Sequence, residues 1–538
     1  MTRSVVENML RYLWNSRWLL SVTAGLFLGF SFPPFPFPFL VFPAWILLFR
    51  LLELSGTVRA AAYWSYPGFV LWNLITTYWL MMAHVAAGVA AILANAVVMT
   101  LPIMLMKFFR NRYSPLESIV LLPAAWIGFE YLHHLWDLAW PWLSLGNAWS
   151  NYPEMVQYIS VTGYLGISFW ILAVSLLIYY AIRLSSRYFA LGALAVGLLF
   201  PGVSLIQFYS VDYPSPYSVE TVVVQPNFDT YEPYGGYENA EQSTQVLIDL
   251  SDSLRTDSTR LIVWPENGIR SSIYSRPTGN QTAFQIKRRL LRRAIAWKAT
   301  LISGTTYFDL FDDNNEVPAL PRYSGTQPYL YYNAGLGFQP DSTIQVYRKH
   351  NLVPLVERVP FVHLLNAVDL FGWIDWADIQ GYGKGREPSA IKVNDTETPP
   401  LVCYDSVFPD WVGTYVRNGA GFITVITNDG WWGETSGHIQ HFSYARLRAI
   451  EFRRWVVRSA NNGISGFIDS RGIVQYETDY WTRTAFRHKV PVIHRQTYYA
   501  RWGAWFAWMM IGFSLGGWVL GLRWNRILGI GKEDQDFR

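Results

Sequence analysis

Cys403 is the only cysteine in this chain of 538 residues, and it closes a short apolar run, "PPLVC" (399–403). Two other reactive side chains hold the same kind of position: Glu266 ends "LIVWPE" and Lys349 ends "TIQVYRK". A strand end is where the sheet stops and a ligand can approach. A thiol attacks a carbonyl as its thiolate, so it needs a base for its proton and a cation for the oxyanion that forms. Glu, Lys and Cys are suited to those three jobs. Each alone has a plainer account: a cysteine after an apolar strand usually packs in a core, and a Glu or Lys at a strand end is usually a solvated loop charge. A single cysteine excludes an intramolecular disulfide and any Cys-x-x-Cys metal cluster. His438 and His441 in "GHIQH" have no third ligand at suitable spacing, so no metal is expected.

The elements that would position these groups read as a soluble α/β domain. Buried strands are expected in "VETVVVQPN" (219–227), "RLIVWPEN" (260–267), "TLISGTTYF" (300–308), "PPLVCYD" (399–405) and "GFITVITND" (421–429). Helical patterns lie between some of them, at 283–299 and 438–461, and 309–328 reads as a loop. Strands and helices alternating without a repeat argue for an α/β architecture.

The rest of the chain has a different composition. Only 15% of all residues are charged, against about 25% in an ordinary soluble domain, and 26 are tryptophan. Uncharged runs occupy 18–49, broken by "PPFPFP" (33–38), and 60–106, broken near His84. Further spans are expected at 116–136, 157–182, 188–208 and 502–522, each near the ~20 apolar residues that a membrane helix needs. That makes seven helices, a large insert and an eighth helix. Lys and Arg fall in alternate connections: Arg3, Arg11 and Arg17; Arg50 and Arg59; Lys107, Arg110 and Arg112; Arg183 and Arg187; Arg523 and Arg526. The positive-inside rule then puts both termini in the cytoplasm and 210–500 outside. The expected division is a seven-helix membrane domain (1–210), an extracytoplasmic domain (211–498), and an eighth helix with a cytoplasmic tail (499–538). A net charge of +4 gives no reason to expect nucleic acid.

"IVWPEN", "YRKHNLVPLVERVPF" and "PPLVCYDSVFPD" resemble the Glu-Lys-Cys motifs of the nitrilase superfamily, as do "ITNDGWWG", "QHFSYARLRAIEFRR" and "SANNGISGFID". A nitrilase domain inserted between seven helices and one resembles the membrane-embedded apolipoprotein N-acyltransferase family over essentially the whole chain, including "WPWLSLGN" (140–147). The resemblance implies an αββα sandwich with Glu266 as general base, Lys349 as oxyanion stabiliser, Cys403 as nucleophile, and Glu357 as a second glutamate that orders the lysine. Tyr404 and Asp405 fall where the family has a sensitive Tyr-Glu pair, here with an acid one methylene shorter. Val356 stands where the family often has Gly, and Tyr231 and Tyr234 are the nearest counterparts of a family tryptophan, neither of them assigned. The implied reaction moves an acyl chain from a phospholipid, through a thioester, to the α-amine of a diacylated apolipoprotein at the bacterial inner membrane. It needs no cofactor, and the expected state is a monomer. The alternatives are a membrane-anchored nitrilase-type amidohydrolase and a non-catalytic lipoprotein-binding relative.

Overall fold

The structure is a computed structural model and describes residues 12–210, 213, 215, 217–312, 317–370 and 373–527. Arg3, Arg11 and the expected tail beyond 527 lie outside these residues. The chain forms two compact units. One takes the chain up to Leu135, then Trp140–Ser210, then the chain from Ala504; the other takes Trp136–Ala139 and Val211–Gly503.

The first unit is helical: α1 (Arg17–Phe30), α2 (Val41–Leu54), α3 (Val58–Thr77), α4 (Val85–Val98), α5 (Thr100–Arg110), α6 (Pro115–Leu132), α7 (Leu165–Arg183), α8 (Arg187–Ser210), and a C-terminal helix, Trp505–Ile527. The prolines at 33–38 separate α1 from α2, and His84 caps α4 by accepting the Ala87 N–H at 3.2 Å. α1 and α3 cross closely, because a Cβ on Gly25 would stand 2.3 Å from the Gly68 carbonyl oxygen. Glu130 of α6 is buried but satisfied: it accepts from Trp126 Nε1 (2.9 Å), Leu145 N (2.8 Å) and Ser168 Oγ (2.6 Å). It therefore anchors the 140–147 loop.

Among the described residues four helices are long and apolar enough to cross a membrane: Val85–Arg110, Leu165–Arg183, Arg187–Ser210 and Trp505–Leu522. The other four expected spans fall short for identifiable reasons. α1 and α2 have 14 residues each, roughly 21 Å at 1.5 Å per residue against a hydrocarbon core of about 30 Å. Tyr63, Trp64, Tyr66 and Asn73 dilute α3, and Glu117 and Glu130 punctuate α6.

The second unit runs β1 (Ser218–Gln225), α9 (Ala240–Leu254), β2 (Thr259–Val263), α10 (Gln281–Trp297), β3 (Thr300–Leu310), β4 (Gln327–Phe338), β5 (Ile344–Arg348), β6 (Pro400–Val402), α11 (Pro409–Arg417), β7 (Ile423–Thr427), α12 (Ser436–Phe452), β8 (Val456–Ala460), β9 (Gly466–Ile468), β10 (Val474–Glu477) and β11 (Thr484–Pro491). One sheet has the order β11-β1-β2-β3-β4, with β5 paired to β4; the other has the order β6-β7-β8-β9-β10. β1, β2 and β3 are parallel, as are β6, β7 and β8.

Strand alternation shows the layering. Val223, Val263 and Ile302 pack into one core with Val402, Ile426 and Val457 of the other sheet, and Val412 and Ala449 of α11 and α12 join the same cluster. Their neighbours Val222, Ile262 and Leu301 turn the other way, onto Leu247 of α9 and Leu290 of α10. The result is helix, sheet, sheet, helix. At Gly335 on β4 the sheets nearly touch: a Cβ there would lie 2.9 Å from Pro400 Cγ and 3.3 Å from Ile426 Cδ1.

Two expected elements differ. The helix expected over 438–461 ends at Phe452, where Arg453 turns left-handed (φ +49°) and the chain re-enters the sheet as β8. The β-branched pair Val456 and Val457 carries that switch. The expected loop at 309–328 is partly ordered: β3 runs to Leu310, and Arg322–Ser324 pairs with the start of β4.

Candidate active site

Glu266 follows β2, Lys349 follows β5 and Cys403 follows β6. Glu266 and Lys349 thus come from one sheet and Cys403 from the other. On β5 the alternation turns Tyr347 into the inter-sheet core and Lys349 to the same side.

The Lys349 ammonium lies between two carboxylates. Its Nζ donates to Glu357 Oε1 at 2.8 Å and stands 3.9 Å from Glu266 Oε1. Asn333 Nδ2 bridges the same pair, at 2.7 Å from Glu266 and 2.9 Å from Glu357. The remaining oxygens accept backbone N–H groups, Asn428 N to Glu266 Oε2 (2.9 Å) and Val353 N to Glu357 Oε2 (2.7 Å). Burial raises Glu266 above the ordinary carboxylate value; the Lys349 charge opposes this and the Glu357 charge adds to it. Burial alone would lower Lys349, but Glu357 and Glu266 outweigh it, so it stays an ammonium. The Cys403 thiol is pushed up by burial first and then by the Glu266 charge, against the pull of Lys349. The resting site therefore holds a protonated thiol next to a carboxylate with raised proton affinity and a fixed cation.

Cys403 sits on a left-handed backbone corner (φ +46°), which costs a non-glycine residue roughly 1–2 kcal/mol. Its carbonyl is gripped by Ser406 Oγ (2.7 Å) and lies 3.2 Å from His441 Nε2. Behind the corner is a second charged set. His441 Nδ1 is 3.1 Å from Asp429 Oδ1, and Arg458 Nη2 donates to Asp429 Oδ2 at 2.8 Å. Burial pushes Asp429 upward, but Arg458 and His441 win and hold it well below the usual carboxylate range. Burial, then Arg458, lowers His441, which favours the neutral ring.

Asp405 and Tyr404 stand apart from the Glu266, Lys349 and Glu357 set. Asp405 Oδ2 accepts from the Tyr347 hydroxyl (2.5 Å) and His350 N (3.2 Å); Oδ1 accepts from Asn351 N (2.6 Å) and Asn351 Nδ2 (3.0 Å). It ties the segment after Cys403 to the segments flanking Lys349. Burial raises its carboxyl to about 6, with Tyr347 and Lys349 opposing. The Tyr404 hydroxyl donates to the Ala139 carbonyl at 2.8 Å. Tyr231 is exposed and meets Trp431 edge-on at 5.6 Å, and Tyr234 and Val356 are exposed as well.

Asn333, Asn428, Asp429 and Arg458 were not singled out by residue type, and His441 was weighed only as a metal ligand. Two signals point to them. "TND" (427–429) follows an apolar run just as Glu266 and Cys403 do, and Asn333 interrupts the apolar and aromatic run "PYLYYNAGLGF" (328–338).

Residues 24–177 match the family model described as the apolipoprotein N-acyltransferase N-terminal domain, and residues 223–498 match the carbon-nitrogen hydrolase model. An apolipoprotein N-acyltransferase of Chlorobaculum tepidum is 31% identical over 90% of this chain and 93% of its own length. One of Pseudomonas syringae pv. tomato is 26% identical over 95% of this chain and 98% of its own. Among solved structures, the nitrilase-superfamily member Nit3 of Saccharomyces cerevisiae aligns with a TM-score of 0.37 and 16% identity over 52% of this chain and 93% of its own.

Proposed function

The chain belongs to the apolipoprotein N-acyltransferase family, and we propose that it transfers an acyl chain from a membrane phospholipid to the α-amine of a diacylated apolipoprotein cysteine, the last step of lipoprotein maturation, through a thioester on Cys403. The observation that carries this reading is the convergence of Lys349 with Glu357 at 2.8 Å and Glu266 at 3.9 Å, with the Glu266 charge acting on the Cys403 thiol.

That geometry supports the following roles. Glu266 accepts the thiol proton as sulfur attacks the donor's ester carbonyl, and its raised proton affinity suits the task. The Lys349 ammonium, held by Glu357, stabilises the oxyanion. The tetrahedral centre collapses, the C–O bond breaks, and Glu266 returns the proton to the departing lysophospholipid. In the second half the lipoprotein amine attacks the thioester, Glu266 takes its proton, and an amide replaces the C–S bond. Two half-reactions sharing one acyl-enzyme predict ping-pong kinetics. Tyr404 and Asp405 act as positioning residues, Asp405 by fixing the segments around Lys349.

We also assign the chain to the bacterial inner membrane as a monomer with eight spans, both termini cytoplasmic and 211–498 outside. The four long apolar helices support the membrane placement, and the alternation of Lys and Arg supports the orientation. Because both substrates are lipids, a membrane domain brings the enzyme to where they reside.

The deciding experiment incubates the purified protein with phospholipid alone and measures its intact mass. An added fatty acyl group that maps to Cys403, and that moves to a diacylated lipopeptide on its addition, supports the transferase. Release of free fatty acid with no N-acylated peptide would mean a hydrolase instead.

A further inference from the structure

Arg348 and Lys349 are neighbours at the end of β5, so their side chains face opposite sides of the sheet. Lys349 meets Glu266 and Glu357. Arg348 turns to the outer face, where it bonds Asp309 at 2.5 Å and lies 5.3 Å from the Tyr332 ring. An open cleft of about 320 Å³ begins there. Its other wall is built by the segment after Glu357: Arg358, Lys384 and Arg386 line it, and Glu387 is the remaining carboxylate.

The charges in this cleft do not balance. Asp309 is taken by Arg348. Among the described residues no ion pair involves Arg358, Lys384 or Arg386. Arg358 is oriented by donating from Nη1 to the Tyr382 carbonyl (2.6 Å) and Gln380 Oε1 (3.2 Å), with Nη2 3.3 Å from His363 Nε2. The carboxylate that acts on it, Asp137, lies outside the cleft lining, makes no ion pair with it and accepts from Phe361 N (2.8 Å). Gathering like charges around one cleft is unfavourable unless an anion joins them.

We propose that this cleft is a binding site for a phosphate ester, separate from the catalytic groups and on the other face of the same sheet edge. Guanidinium forks suit phosphate oxygens, and a lysine supplies a point charge beside them. The cleft is larger than a phosphate group, which leaves room for the ester's substituent. The phosphate belongs either to an anionic lipid headgroup or to a soluble ester. The site is independent of which acyl donor Cys403 uses.

The test uses the full chain. In nanodiscs of phosphatidylcholine containing a minor share of phosphatidylglycerol, native mass spectrometry counts retained anionic lipid. In detergent, calorimetry follows titration with inorganic phosphate and glycerol 3-phosphate. Saturable binding is expected in at least one arm. The double variant Lys384→Glu/Arg386→Glu, at two exposed positions, should weaken it at least ~tenfold with an unchanged unfolding midpoint. Glu387→Gln should tighten it. Retained phosphatidylglycerol without a response to the soluble anions assigns a lipid headgroup; the reverse assigns a soluble ester. Absence of saturable binding in both arms overturns the proposal, as does binding that the charge reversal leaves unchanged.

Discussion

The catalytic domain buries two charged clusters built from nearly the same parts, and they behave in opposite ways. In one, Asp429 meets a single guanidinium at 2.8 Å and a neutral imidazole at 3.1 Å, and its carboxyl is driven far toward the ionised form. In the other, one ammonium serves two carboxylates. It bonds Glu357 at 2.8 Å and leaves Glu266 at 3.9 Å with its proton affinity raised. A balanced cluster holds a shape; an unbalanced one keeps a group ready to take a proton. The first set supports the Cys403 corner, and the second faces the Cys403 thiol.

The sharpest way to break the comparison is to remove what the unbalanced cluster acts on. Cys403→Ala should abolish both the acyl-enzyme and N-acylated product in intact-mass and lipopeptide assays while the protein stays folded. Glu266→Gln keeps the shape but removes the base, and single-turnover acylation should slow by ~10²–10⁴-fold. In the balanced cluster the damage should appear as stability instead. Arg458→Met leaves Asp429 buried without its cation and should cost about 3–5 kcal/mol in denaturant unfolding.

pH sharpens the contrast, because the two carboxyls are shifted in opposite directions. Asp429 is depressed below its ordinary value of 3.8, so it contributes stability above that pH and loses it as pH falls toward the folded value. Glu266 is raised above its ordinary 4.5, so its contribution is present below 4.5 and is lost as pH rises through the folded value. At neutral pH Asp429→Asn should therefore unfold more easily than the parent, and Glu266→Gln less easily, with the gap closing in acid. The smallest effect expected is at Asn333, whose hydrogen bond pulls Glu266 downward. Asn333→Ala should move the acid limb of kcat/KM to higher pH without abolishing acylation.

Much of this site is legible from the chain, because strand ends announce themselves. Glu266, Lys349 and Cys403 each close an apolar run, and the fold brings the ends of β2, β5 and β6 together. Glu357 is less obvious, since it depends on a turn of the chain that lets it reach back over Lys349. Asn333 is harder still: it lies in the middle of β4, and only the pairing of strands shows which carboxylates it can reach. The partners of Asp405 come from the segments around Lys349, which no local pattern could name. The helix expected over 438–461 fails for a related reason: an amphipathic pattern continues through Arg453, and tertiary demand for a strand between β7 and β9 ends it.

Gly335 has a consequence beyond packing. Cys403 is carried by one sheet and Glu266 by the other, and at Gly335 the backbone of β4 meets Pro400 and Ile426 of the facing sheet directly. Gly335→Ala adds a methyl against Pro400, three positions before Cys403, and presses on the sheet that carries the thiol. In the proposed mechanism the thickness of that buried layer joins the side chains in setting the distance between thiol and base.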